Sequence, residues 1–161
     1  MTGIQFRPAG PQDVGTIQAM LEALARQDGA EMRGSAAALL RHGFGALPLF
    51  QTVLAERGTK VLGFALFYPE FSTLRGRPGV HVQDLYLAPE ARGLGLGAAL
   101  LAEVMQAAQA WEAGYLTLMV DHGNSQARRF YARQGFAPRG DYEGLVLEGE
   151  ALDALRKLPQ T

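Results

Sequence analysis

The 161-residue chain contains no cysteine. That excludes disulfides, thiolate metal sites and a cysteine nucleophile, and it fits a reducing compartment, the cytoplasm. No apolar run is long enough to span a bilayer, and the opening "MTGIQFRPAG" holds no apolar signal segment, so no membrane association is expected. Neither charge sign is in excess. Fifteen Lys and Arg stand against 16 Asp and Glu, a formal net charge of -1, which gives no bulk attraction to nucleic acid or to anionic lipid. Internal repeats, low-complexity tracts and linkers are also missing. What remains is a globular composition, 48% hydrophobic and 19% charged, in a length that suits a single domain over residues 1–161.

The periodicity divides the chain into short strands followed by alternating helices and strands. Ile4–Arg7 reads as a strand stopped by Pro8. Val14, Ile17, Met20, Leu21 and Leu24 recur at helical spacing, and Gly29 ends that helix. Ser35 is placed to cap a second helix through Leu40. Gln51–Glu56 and Lys60–Tyr68 read as a hairpin around "RGT", and "EFSTLRGRPG" as a long turn. Val80–Leu87 is a strand, Leu96–Glu112 a helix, Tyr115–Val120 a strand and Ser125–Gln134 a helix. Glu143–Glu148 reads as a last strand before a short C-terminal helix. This order predicts an α/β (α+β) protein with a central mixed sheet flanked by helices.

One strand is out of phase with itself. In "VHVQDLYL", Val80 and Val82 share one parity, and Leu85 and Leu87 the other. An extra residue at Gln83 or Asp84, a β-bulge, would return all four to one face. A strand buried on both faces would show the same pattern without a bulge.

Just beyond it lies "ARGLGLGAALL", residues 91–101. Three readings compete for this stretch. It is a ligand-free turn; or a dinucleotide loop, in which Gly93, Gly95 and Ala98 match G-x-G-x-x-A and Asp121 is the ribose acid; or a diphosphate loop that includes Arg92. The dinucleotide reading is weakened by "APEAR", which separates Leu87 from the first glycine. In the third reading, successive N–H groups at a helix N-terminus face the anion, and glycines let the backbone come close. Leu100, Leu101, Val104, Met105, Ala108 and Trp111 supply the apolar stripe of the helix behind the loop.

Arg92, Gly95 and Gly97 form R-x-x-G-x-G, which resembles the pyrophosphate signature of the GNAT acetyltransferases. "NSQARRFYARQGF" is similar to that family's second cofactor segment, an Asn-capped helix with an aromatic pair before the Gly-Phe. The stretches "HGFGALPLFQTVLAE" and "VLGFALFY", and the overall length, resemble the diamine (spermidine/spermine) and thialysine N-acetyltransferase branch. The resemblance implies the GNAT fold, a mixed, mostly antiparallel sheet with a splayed bulged strand. It implies acetyl-CoA (coenzyme A) as cofactor, held by Leu85, Tyr86 and Leu87 of the splayed strand, by Arg92, Gly93, Leu94, Gly95, Leu96, Gly97 and Ala98 of the loop, and by Asn124, Ser125, Gln126 and Ala127. A homodimer is usual in that branch.

Acetylating a primary amine needs a neutral amine and a proton for the leaving thiolate. No covalent enzyme intermediate is required. By resemblance Tyr131 is the general acid; a core aromatic is the competing role for a Tyr next to Phe130. Asp28, Glu31, Asp84 and Glu143 occupy places where the branch sets acids toward a polyamine, although most such residues are solvated surface. Gln83 departs from a glutamate usual there, so either Asp84 or a water chain becomes the base, or the substrate differs. His81 and His122 are placed for a relay or for structure alone. The implied activity is acetyl-CoA-dependent N-acetylation of a small-molecule primary amine, a polyamine, thialysine or similar, by direct attack. A non-catalytic acyl-CoA-binding sensor is the alternative.

Overall fold

Five strands form one sheet: β1 (Ile4–Pro8), β2 (Gln51–Arg57), β3 (Lys60–Ser72), β4 (Arg77–Leu87) and β5 (Leu116–Leu118), in that spatial order. The computed structural model describes residues 3–140 and 144–157. Pairing is antiparallel from β1 to β4, and only β4–β5 is parallel. This mixed sheet is not a doubly wound parallel one, so the dinucleotide reading of the glycine loop falls. Helices α1 (Val14–Gln27) and α2 (Ala36–Phe44) precede β2. Helix α3 (Leu96–Ala107) joins β4 to β5, and α4 (Ser125–Arg133) and α5 (Gly149–Arg156) follow. Contacts divide the chain into two compact units, Met1–Arg128 and Arg129–Thr161.

The helix ends follow local chemistry. The Ser35 hydroxyl accepts the Ala38 N–H at 3.2 Å and starts α2. Ahead of α1, the buried Asp13 carboxylate accepts from both terminal nitrogens of Arg7 (2.7 and 2.9 Å) and from the Gly10 N–H (2.8 Å). In the second unit α4 ends in a Schellman motif. The Phe136 N–H bonds the Tyr131 carbonyl and the Gly135 N–H the Ala132 carbonyl, with Gly135 at φ +91.

The phase of β4 is settled by its register. Leu66 pairs with Asp84 and Phe67 with Val82, which leaves Gln83 as the extra residue of a bulge. Residues directly opposite share a face. Val80, Val82, Leu85 and Leu87 therefore lie with Pro69, Phe67, Ala65 and Gly63, while Asp84 and Tyr86 lie with Leu66 and Phe64 on the other. The second face packs with Ile17 and Leu21 of α1 around Leu54, Phe64, Leu66 and Tyr86, and Leu39 of α2 joins this cluster. On the first face Leu96, at the start of α3, packs with Leu62 and Ala91 against Phe6 and Leu87.

Three expectations are corrected. The long turn "EFSTLRGRPG" is mostly strand, since Glu70, Phe71 and Ser72 pair with Gly79, Pro78 and Arg77. Its Pro and Gly residues sit near a hairpin tip, where β5 does not reach and fewer ladder bonds are required. The helix after the glycine loop tightens into a 3-10 turn at Ala108–Trp111 instead of running on to Glu112. The last strand expected over Glu143–Glu148 does not form at 144–148, which have no regular structure. Glu143 itself lies outside the described residues.

Candidate active site

β5 meets β4 only at Val80–Val82, paired with Leu116–Leu118. From Gln83 onward, among the described residues, β4 has β3 as its one strand neighbour. Leu85, Tyr86 and Leu87 thus border a gap in the ladder, an edge of β4 that β5 leaves unpaired from the bulge onward. An extended ligand can add to such an edge as a further strand would. Bulges commonly stand where pairing terminates, and the β4–β5 ladder ends next to this one.

The glycine loop follows at the end of this gap. Gly93 and Gly95 have φ +74 and +77, and Gly95 is the N-cap of α3. A Cβ built on either glycine meets no heavy atom within 4 Å, so the space before the loop is open and only the dihedral demands glycine. The N–H groups of Leu96, Gly97 and Ala98 are in the first turn, where a helix offers no acceptor of its own. These features fit a diphosphate. Arg92 is tied back onto the protein. Its Nε donates to the Leu87 carbonyl (3.1 Å), Nη2 donates to Gln27 Oε1 (2.6 Å), and the guanidinium stands 6.0 Å from the Tyr86 ring centroid. It fastens the loop to the ends of β4 and α1.

Across the sheet from α3, under α1 and α2, lies a cavity of about 510 Å³ lined by Leu21, Met32, Leu39, Leu49, Phe50, Leu66, Tyr68, Gln83 and Asp84. Asp84 and Gln83 are the bulge residues, so the bulge borders both the gap and the cavity. Burial pushes the Asp84 carboxyl up to about 6. The Tyr68 hydroxyl donates to Gln83 Oε1 at 3.2 Å. Its own acidity is weakened by burial first, then by the charges of Glu70 and Asp84. Further along this face His81 Nδ1 contacts Thr117 Oγ1 at 2.9 Å, with Glu70 4.0 Å away.

The other expected residues are placed as follows. Asn124 caps α4, its Oδ1 accepting the Ala127 N–H at 3.0 Å, and its amide nitrogen reaches Asp28 Oδ1 at 3.4 Å. Ser125 and Gln126 open the same helix. Asp28 is the C-cap of α1, and Glu31 is exposed, 3.9 Å from Arg33; neither lines the cavity. His122 offers its carbonyl to Arg128 at 3.3 Å. In the second unit the Tyr131 ring packs edge-on to Phe136 (5.5 Å between centroids) and against Phe130 (5.1 Å). The apolar lining and Tyr68 were not singled out by sequence reasoning. The signal for Leu66 and Tyr68 was the bulge itself, because its register sets those residues beside Asp84 and His81.

The GNAT acetyltransferase family model matches residues 17–136. The chain belongs to that family. It is an N-acetyltransferase by family and by its named relatives. The thialysine N-epsilon-acetyltransferase of Bos taurus is 30% identical, over 96% of this chain and 98% of that protein. The spermidine/spermine N(1)-acetyltransferase-like protein 1 of Homo sapiens is 29% identical over 89% of this chain and 22% of its own length. An integron cassette protein from the V. cholerae mobile metagenome shares the fold, with a TM-score of 0.78 at 22% identity, covering 98% of this chain and 99% of that one. Among the described residues no helix is long and apolar enough to cross a membrane.

Proposed function

We propose that this acetyltransferase transfers the acetyl group of acetyl-CoA directly to the primary amine of a small molecule, the class to which thialysine and the polyamines belong. The observation that carries this reading is the position of Asp84. It stands on the bulge, where the unpaired edge of β4 and the cavity meet. Acetyl-CoA fits the open glycine loop and the free edge of β4; when bound it supplies the acetyl thioester and leaves as a thiolate that needs a proton. The first-turn N–H groups of α3 hold the diphosphate, and Leu85, Tyr86 and Leu87 offer backbone groups to the pantetheine arm. Asn124, Ser125, Gln126 and Ala127 form the second cofactor segment.

Asp84 attracts the ammonium and accepts its proton, with Gln83 alongside. With an amine at about 10.4, proton transfer to a carboxyl at the reference value costs about 9 kcal/mol; to one near 6 it costs about 6. Burial of Asp84 therefore removes about a third of that barrier. Tyr131 is the proton donor to the thiolate, an uphill step of roughly 2 kcal/mol on reference values, which the site must offset. This role rests on the family resemblance of "RRFYARQGF". We further propose that residues 1–161 act as one domain, as a homodimer in the cytoplasm. The family match runs across Arg128, and the exposed Leu145, Val146 and Leu147 offer an apolar segment for a second copy to cover.

The test is acetyl-CoA-dependent thiol release with a panel of primary amines, run beside acetyl-CoA titration calorimetry. The protein is expected to release thiol with at least one amine, and Gly95→Val to lose acetyl-CoA affinity about tenfold or more while keeping its far-UV spectrum. Unchanged affinity in a folded Gly95→Val protein would sink the assignment of the loop.

A further inference from the structure

The cavity beside Asp84 is lined for something other than a polycation. Six of its side chains are apolar: Leu21 of α1, Leu39 of α2, Leu66 of β3, Met32 between the two helices, and Leu49 and Phe50 just ahead of β2. Among the described residues its one carboxylate, Asp84, lies at the bulge. Gln83 stands next to it with Oε1 already accepting from the Tyr68 hydroxyl, so the other end of that amide is an NH2 donor, which an ammonium cannot use. Other acids among the described residues stand outside the lining. Asp28 meets Asn124, Glu31 pairs with Arg33 on the surface, and Glu70 stands against His81 outside the lining.

An ammonium needs acceptors or water on every side, and an apolar wall provides neither. The first charge of an acceptor finds Asp84; a second, several ångströms along a polyamine, would lie against Leu39, Met32 or Phe50. An alkyl chain or an aromatic ring in the same place would instead leave water and gain contact. We propose that the acceptor is a primary monoamine with an apolar body, its amine at Asp84 and its chain or ring between α1, α2 and Leu66. This rests on the cavity being the acceptor site of the transfer described above.

The matched pair n-hexylamine and its α,ω-diamine of equal length isolates the second charge. Thiol release should give hexylamine a kcat/KM at least about tenfold above that of the diamine, with spermidine lower still. Equal or higher kcat/KM for the diamine would overturn the proposal. Leu39→Glu, at a half-buried position on the cavity wall, should narrow or reverse the ratio by giving the second ammonium a partner; an unchanged ratio also counts against the proposal. If no amine releases thiol, the transfer reading fails. The preference is then still decided by calorimetry of the same two amines with the full-length protein. Tighter binding of hexylamine supports it, and tighter binding of the diamine defeats it.

Discussion

The proposed chemistry falls to two side chains, and they are held in different ways. Tyr131 is the third residue from the end of α4, so its ring is the partner that a Schellman motif asks for at Phe136. The way the helix stops thus gives its ring one of its neighbours. Tyr131→Phe keeps that packing and removes only the hydroxyl. It should lower kcat about 10²-fold or more with little change in acetyl-CoA affinity, and full activity in this variant would leave Tyr131 with packing alone. Asp84 is held by the bulge and raised by burial. Its folded value lies above the unfolded one, so the stability it contributes is complete below about pH 3.8 and is lost as pH rises through about 6. Asp84→Asn stays neutral and does not lose it. The variant should be more stable than the parent at pH 8, on the order of 2–3 kcal/mol, and equal to it near pH 4, by denaturant titration. In the same variant kcat/KM for the amine should fall about 10²-fold or more, and the limb of the pH profile near 6 should disappear.

At the scale of elements, the sequence reveals what is local. Ser35 and Asn124 are legible as caps because each acts within three residues. Gly93 and Gly95 are legible because the left-handed backbone of the loop excludes most other residues. The bulge shows itself as a parity slip between Val82 and Leu85, although parity alone also fits a strand buried on both sides. The register against β3 separates the two. What stays illegible depends on contacts made far along the chain. Pro69, Gly76, Pro78 and Gly79 look like breakers until β3 and β4 pair around them. The cavity draws on Leu21, Leu39, Phe50 and Leu66 from four segments, each of which by itself resembles ordinary core. The weakened acidity of Asp84 follows from that burial and is equally hidden.

At the scale of the whole molecule, the chain has a clamp far from its chemistry. Arg7 on β1 joins Asp13, ahead of α1, to Glu56 on β2 (3.0 Å to Glu56). The Arg7 guanidinium holds the Asp13 carboxyl below its usual 3.8, so this stabilisation is present above that pH and is lost as pH falls through the lowered folded value. Asp13→Asn should lower Tm at pH 7 by about 5 °C, and the gap should close toward pH 3 in a calorimetric series. The bulge has a wider consequence than the clamp. Gln83 is the one residue that the β3–β4 ladder skips, so deleting it would bring Val82 and Asp84 into plain alternation and leave Leu85, Leu87, Asp84 and Tyr86 on the faces they now hold. A lineage can therefore iron out the bulge by a one-codon deletion, or acquire it by a one-codon insertion, without turning the rest of β4 inside out. Gain and loss of this feature cost a codon and no repacking, and the cavity under α1 and α2 stays in place for another ligand.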